Sequence, residues 1–184
     1  ALLPSGAQAH SSASALASAC ELVIVVVVDA AQTADVLFGR EGVLTAPSLP
    51  VAVMLCPTIA PADVEAIAAR LQQGGVGALD APMSGGPLRA RDGSMSLMVA
   101  APDALFERYA KVLQTLSSRL FRVGTRIGDG ARTKLVNNLL ASINLAGAAE
   151  AMALAQSVGL DAQMTRDVVE QSSGQSWIGS DRMR

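Results

Sequence analysis

"LVIVVVVDAAQTADVLFG", residues 22–39, is the stretch whose reading decides the fold. Seven consecutive apolar residues, Leu22–Val28, are mostly β-branched and favour an extended backbone. The run is far short of the roughly 20 residues that a membrane span needs, so it reads as a fully buried strand. Asp29 then caps a helix through "AAQTADVLF", which Gly39 and Gly42 end. A strand that passes directly into a helix is the first half of a parallel crossover unit.

The pattern repeats outward. Upstream, a short helix capped by Ser12 or Ser14 precedes the valine strand. Downstream, "VAVMLC" (51–56) is a β-rich apolar run, "APADVEAIAARLQQGG" (60–75) an amphipathic helix ended by glycines, and "GALDAP" (77–82) a third short strand. After the glycine-rich "SGGP" (84–87), "SMSLMVAA" (94–101) reads as a strand, "PDALFERYAKVLQTL" (102–116) as one helix with Pro102 in its first turn, and "RLFRVG" (119–124) as a last strand. The sheet is parallel with a mixed portion at its end.

Past Gly128 the pattern changes. Residues 131–158 form one long helix without proline, apolar on nearly every side, as central or interface helices are. A second helix follows Gly159, capped by Asp161. A domain boundary is expected at Gly128–Gly130, giving an α/β domain over 1–128 and the start of an all-helical domain over 129–184.

Composition narrows the function. The chain has 184 residues, 51% of them hydrophobic and 16% charged, with net charge -2, so it can bury a core and shows no basic surface for nucleic acid. No basic amphipathic stretch marks a membrane surface. Cys20 and Cys56 match no metal-ligand spacing and read as core residues of a reducing, cytoplasmic protein; His10 has no partner for a triad or a metal. Neither end carries a clear start or stop signal, so the sequence reads as part of a longer polypeptide.

Three stretches can carry chemistry. In "DGARTKLVNNLL" (129–140), Lys134, Asn137 and Asn138 are spaced i, i+3, i+4 and share one helix face. Only Lys111 and Lys134 among the 14 basic residues are lysines. A lysine can be tuned by burial to exchange a proton where arginine cannot. The other open reading is a lysine snorkelling to solvent from a helix end. In "DAPMSGGPLRARDG" (80–93), a strand runs into Ser84, Gly85 and Gly86, whose amides and hydroxyl can hold a carboxylate. A plain tight turn explains the same glycines. In "CPTIAP" (56–61), Thr58 either contacts a cofactor or caps the helix that Pro61 begins, capping being favoured in isolation. Trp177, Met95 and Met98 read as packing residues. The chain contains no GxGxxG fingerprint, so nucleotide binding is not derivable from its residues alone.

Taken together, "VVVVDAAQTADVLFG", "PTIAP", "LDAPMSGGPLRARDGSMSLMV", "GDGARTKLVNNLL" and "AAEAMALAQSVGLD", in this order and over nearly all of the chain, resemble the β-hydroxyacid dehydrogenase family, which includes 3-hydroxyisobutyrate dehydrogenase and tartronate semialdehyde reductase. "AAQTADVLFG" with "SSGQSWIGSDRMR" looks most like the L-threonate dehydrogenases. The resemblance implies a Rossmann domain followed by an all-helical domain, joined by the long helix, which packs in a homodimer or homotetramer. It implies NAD or NADP as cofactor and a small hydroxy acid as substrate, a four-carbon sugar acid such as L-threonate being expected. Lys134 matches the catalytic lysine, and Asn137 and Asn138 the polar positions that orient it and the substrate. Ser84, Gly85 and Gly86 match the substrate-carboxylate site. Thr58 matches a residue beside the nicotinamide ribose, and Val27, Val28 and Gln32 the loop lining the cofactor cleft. The family's first βαβ unit and a C-terminal part with a second lysine are not in this sequence. The glycine fingerprint is therefore expected upstream of Ala1, NAD cannot be told from NADP, and a chain truly lacking these parts is not expected to bind dinucleotide. From a different class, a non-catalytic helical dimerisation relative would use the long helix as an interface alone.

Overall fold

A computed structural model describes residues 3–182. The chain divides into two compact units, 1–134 and 135–184, and the division falls inside a helix, between Lys134 and Leu135.

The first unit is a Rossmann-type layered α/β domain. Helix α1 (Ala13–Ala17) starts at Ser12, whose hydroxyl accepts the Ala15 N–H, and leads to strand β1 (Leu22–Val25). Helix α2 (Ala30–Phe38) is capped by Asp29 and ends at Gly39. Strand β2 (Ala52–Leu55), helix α3 (Pro61–Gln73) and strand β3 (Gly77–Asp80) complete two crossovers. β1 pairs parallel to β2 and β2 parallel to β3, with Leu55 opposite Asp80. Parallel pairing forces each connection to cross a face of the sheet, which puts the ends of all three strands at one edge.

The remaining sheet is mixed, as expected. A short β4 (Met83–Ser84), helix α4 (Gly86–Asp92) and strand β5 (Ser96–Ala100) follow β3, and β6 (Arg119–Gly124) closes the unit. β5 is antiparallel to β3 and β4 and parallel to β6. Period-2 alternation divides β2 between two cores. Val53 and Leu55 enter one with Leu37, Val64 and Leu71; Ala52, Met54 and Cys56 enter the other with Leu79, Leu97 and Leu113.

Three expectations are corrected. The valine run is not a fully buried strand: extended pairing stops at Val25, and Ile24, Val26 and Val28 are exposed. β1 is an edge strand of this sheet, and its outer side chains have no cover among the described residues. The helix expected over 102–116 is two, α5 (Asp103–Arg108) and α6 (Ala110–Leu116). Tyr109 breaks it at φ -103, ψ 10, with its ring buried and its hydroxyl donating to the Glu21 carbonyl. α4 and β4 flank the glycine turn, where no regular element was expected.

Helix α7 (Asp129–Ser157) leads into the second unit, which continues with α8 (Ala162–Glu170) and α9 (Trp177–Arg182). Asp161 caps α8 by accepting the Met164 N–H at 2.8 Å. α7 carries many exposed apolar side chains, among them Val136, Leu139, Leu140 and Ile143, rather than the buried surround of a central helix. It is the described helix long and apolar enough to cross a membrane, with a window of mean hydropathy 1.2. Counting unbroken apolar runs missed it because Asn137, Asn138, Asn144 and Glu150 interrupt the run.

Candidate active site

The parallel strands deliver three loops to one edge of the sheet, and each carries residues singled out in the sequence. After β1, the Val28 N–H donates to Gln32 Oε1 at 3.2 Å, while Asp29 Oδ1 accepts the Gln32 N–H at 2.8 Å. These bonds fold Val27, Val28 and Gln32 into one turn, with Val27 half-buried against the core and Val28 open to solvent.

Thr58 follows β2. The N-cap of α3 is Ala60, with no side-chain capping bond. Thr58 is therefore not the cap, and it stands exposed past the strand end. The adjoining Cys56 is buried, and burial with the nearby charge of Asp80 pushes its thiol up to about 12. It is a protonated core residue at any physiological pH.

After β3, Ser84 pairs with Ser96 and lies half-buried, and both glycines that follow have positive φ, 142° at Gly85 and 68° at Gly86. A Cβ on Gly85 would fall 2.8 Å from Arg89 Cβ. The turn thus demands glycine for backbone reasons, and that demand is compatible with its amides serving a ligand.

Lys134 is buried, with 7% of its surface exposed. Burial holds its ammonium below the ordinary lysine range. This is not the snorkelling side chain of the alternative reading. Asn137 and Asn138 occur on the same helix in the second unit, exposed and half-buried respectively.

One residue at this edge was missed. Asp80, the last residue of β3, is 1% exposed, and its Oδ2 accepts the N–H groups of Gly128 at 2.9 Å and Ala131 at 3.1 Å. Burial raises its pKa, against the lowering effect of these bonds. The signal in the sequence was an acid closing the apolar strand "GALD", since a buried carboxylate requires hydrogen-bond donors.

Comparison with known proteins matches residues 1–124 to the NAD binding domain of 6-phosphogluconate dehydrogenase, and 128–184 to the NAD-binding domain of NADP-dependent 3-hydroxyisobutyrate dehydrogenase. The chain belongs to this dehydrogenase family. Family relatives include the L-threonate dehydrogenases of Escherichia coli O6:H1 (strain CFT073) and K12, 40% identical over 172 residues, which are 94% of this chain and 57% of theirs. The chain thus spans less than three fifths of the length of these curated relatives. A crystal structure of 3-hydroxyisobutyrate dehydrogenase from Salmonella typhimurium superposes with a TM-score of 0.85 at 38% identity, covering 94% of this chain and 60% of that one. A solved structure described as Psf3 in complex with NADP+ and 2-OPP superposes with a TM-score of 0.89 at 29% identity, covering 98% of this chain and 63% of that one.

Proposed function

We propose that this chain serves an NAD(P)-dependent dehydrogenase of small hydroxy acids, with Lys134 as its acid/base and a four-carbon sugar acid such as L-threonate as its substrate. The observation that carries this reading is the burial of Lys134, which favours the neutral amine that a proton acceptor needs. Likeness to L-threonate dehydrogenases supports the substrate, and likeness to a 3-hydroxyisobutyrate dehydrogenase supports that acid, or tartronate semialdehyde in reduction, as the alternative.

Residues at the carboxyl edge fit the nicotinamide half of NAD or NADP. Val28 offers an exposed apolar surface, and the Thr58 hydroxyl is not spent on capping α3. Val27 and Gln32 shape the same turn. When bound, the cofactor supplies the hydride acceptor. Lys134 Nζ takes the substrate hydroxyl proton as the carbon is oxidised, and returns it in reduction. The Ser84 hydroxyl and the Gly85 and Gly86 amides donate to the substrate carboxylate. Asn137 and Asn138, three and four residues past the lysine, orient it and the substrate. The functional domain boundary is proposed at Gly128–Gly130, where the helix that carries Lys134 begins.

Exposed Leu139, Leu140 and Ile143 on α7 support assembly as a homodimer or homotetramer through that helix. The same exposure is what a non-catalytic dimerisation relative would show. The deciding experiment assays full-length wild type and Lys134→Ala for NADH or NADPH formation over a panel of hydroxy acids that includes L-threonate and 3-hydroxyisobutyrate. Activity on one acid that is lost in the variant is the expected result. Activity retained by Lys134→Ala removes the lysine assignment, and a wild type inert toward every acid favours the non-catalytic reading.

A further inference from the structure

We infer that Asp80 is a positioning residue for Lys134, locking the start of α7 to the strand that ends in the Ser84–Gly86 turn. The inference rests on the acid/base reading of Lys134 given above.

The first turn of any helix presents N–H groups without intrahelical partners. A local Ser, Thr, Asp or Asn at the N-cap commonly satisfies them. α7 is built otherwise. The residue preceding it is Gly128, at φ 95° and without a side chain, and the local acid Asp129 is engaged by Arg126 and Arg132. The cap comes instead from Asp80, 48 residues upstream of Gly128, through its bonds to Gly128 and Ala131. A carboxylate there also meets the positive end of the helix dipole.

The fit is close. A Cβ on Gly130 would fall 2.8 Å from both Cγ and the carbonyl oxygen of Asp80, so the helix start rests directly on this residue. Ala131 in turn is buried in the core cluster with Leu55 and Ile59. Lys134 follows Ala131 by three residues, about one turn along the helix, and Ser84 follows Asp80 by four. A single carboxylate thereby sets the helix that carries the proton-transfer group against the strand that leads to the substrate turn. Displacements near 1 Å at reacting groups can cost about 100-fold in rate, which is why a rigid joint at this point bears on catalysis.

The test uses full-length Asp80→Asn and Asp80→Ala with wild type and Lys134→Ala. Two quantities are read: kcat with KM for cofactor, and the rate of Lys134 acylation by a water-soluble ester relative to Lys111, resolved by peptide mass spectrometry. Asp80→Asn is expected to lower kcat at least 10-fold with cofactor KM within twofold and an unchanged far-ultraviolet spectrum, and to raise relative labelling of Lys134 severalfold. Asp80→Glu is expected not to rescue kcat, because the longer side chain displaces the helix start. Should Asp80→Ala not fold, Asp80→Asn and Gly130→Ala press on the same contact from its two sides. Wild-type kcat and wild-type Lys134 labelling in folded Asp80→Asn and Gly130→Ala overturn the inference. If Lys134→Ala proves fully active, the acid/base reading falls by itself; altered Lys134 labelling in the Asp80 variants then still upholds the joint, and unaltered labelling removes it as well.

Discussion

Asp80 ends β3 and Cys56 follows the end of the neighbouring β2, and the charge of the first adds to burial in keeping the second protonated. With a pKa of about 12, Cys56 holds a negligible thiolate fraction at neutral pH. Cys20 is only half-buried. Iodoacetamide at pH 8 is therefore expected to modify Cys20 at least 10-fold faster than Cys56 in the native protein, as read by peptide mass spectrometry. Equal rates would mean that the edge of the sheet opens to solvent.

Asp80 sets a pH-dependent stability. Its folded pKa is raised above the unfolded value, so its contribution is fully present below the unfolded pKa, near 3.9, and is lost as pH rises through the folded value. Asp80→Asn imitates the protonated acid. Its melting temperature relative to wild type is expected to rise from pH 4 to pH 8, even though the loosened joint lowers its activity. A melting temperature that drops at pH 8 and recovers at pH 4 would contradict the sign.

Much of this architecture can be read from residues that signal locally. Apolar runs at Leu22–Val25 and Ala52–Leu55, the caps at Ser12, Asp29 and Asp161, and the stops at Gly39 and Gly74 each act within one turn of themselves. Candidate site positions at Val28, Thr58 and Ser84 were legible because parallel strands bring their ends to one edge. What escaped depends on distant partners. Asp80 meets Gly128 and Ala131 about 50 residues away, and Tyr109 breaks its helix where its hydroxyl reaches Glu21. The exposure of Ile24 depends on what packs over that face of β1, which the composition of β1 alone does not encode.

Gly85 combines φ 142° with a neighbour at 2.8 Å from any added Cβ. Gly85→Ala is expected to cost about 1–3 kcal/mol in denaturant unfolding, the usual scale of backbone strain. Because the same turn is assigned to the substrate carboxylate, KM for the hydroxy acid should rise while KM for cofactor stays put. A variant with lower stability and an unchanged substrate KM would leave the turn a purely structural role.

Leu139 and Leu140 are adjacent, exposed residues of α7. If α7 is the assembly surface, Leu139→Glu introduces a charge that must be desolvated in the interface. Light scattering of the full-length protein is expected to show a halved or smaller particle for this variant. An unchanged mass would move the interface elsewhere.

Lys134 offers the sharpest separation of stability from function. Its folded pKa is lowered by burial, so it contributes stability above the unfolded pKa, near 10.4, that is lost as pH falls through the folded value. Below the unfolded pKa, folding must either bury the ammonium or release its proton, so Lys134→Met, which removes the titrating group and keeps an apolar stem, is expected to melt higher than wild type. The same variant should lose about 10²–10⁴-fold in kcat, the range for removing a general acid/base. Lys134→Arg restores a cation but not a group that can release its proton, so it should remain as inactive as Lys134→Met. In the oxidative direction, wild-type kcat should climb with pH along a limb centred below the ordinary lysine value, as the neutral amine becomes populated, and that limb should vanish in both variants. Rescue of activity by arginine would show that position 134 supplies charge rather than a proton acceptor, and would return the acid/base role to another residue.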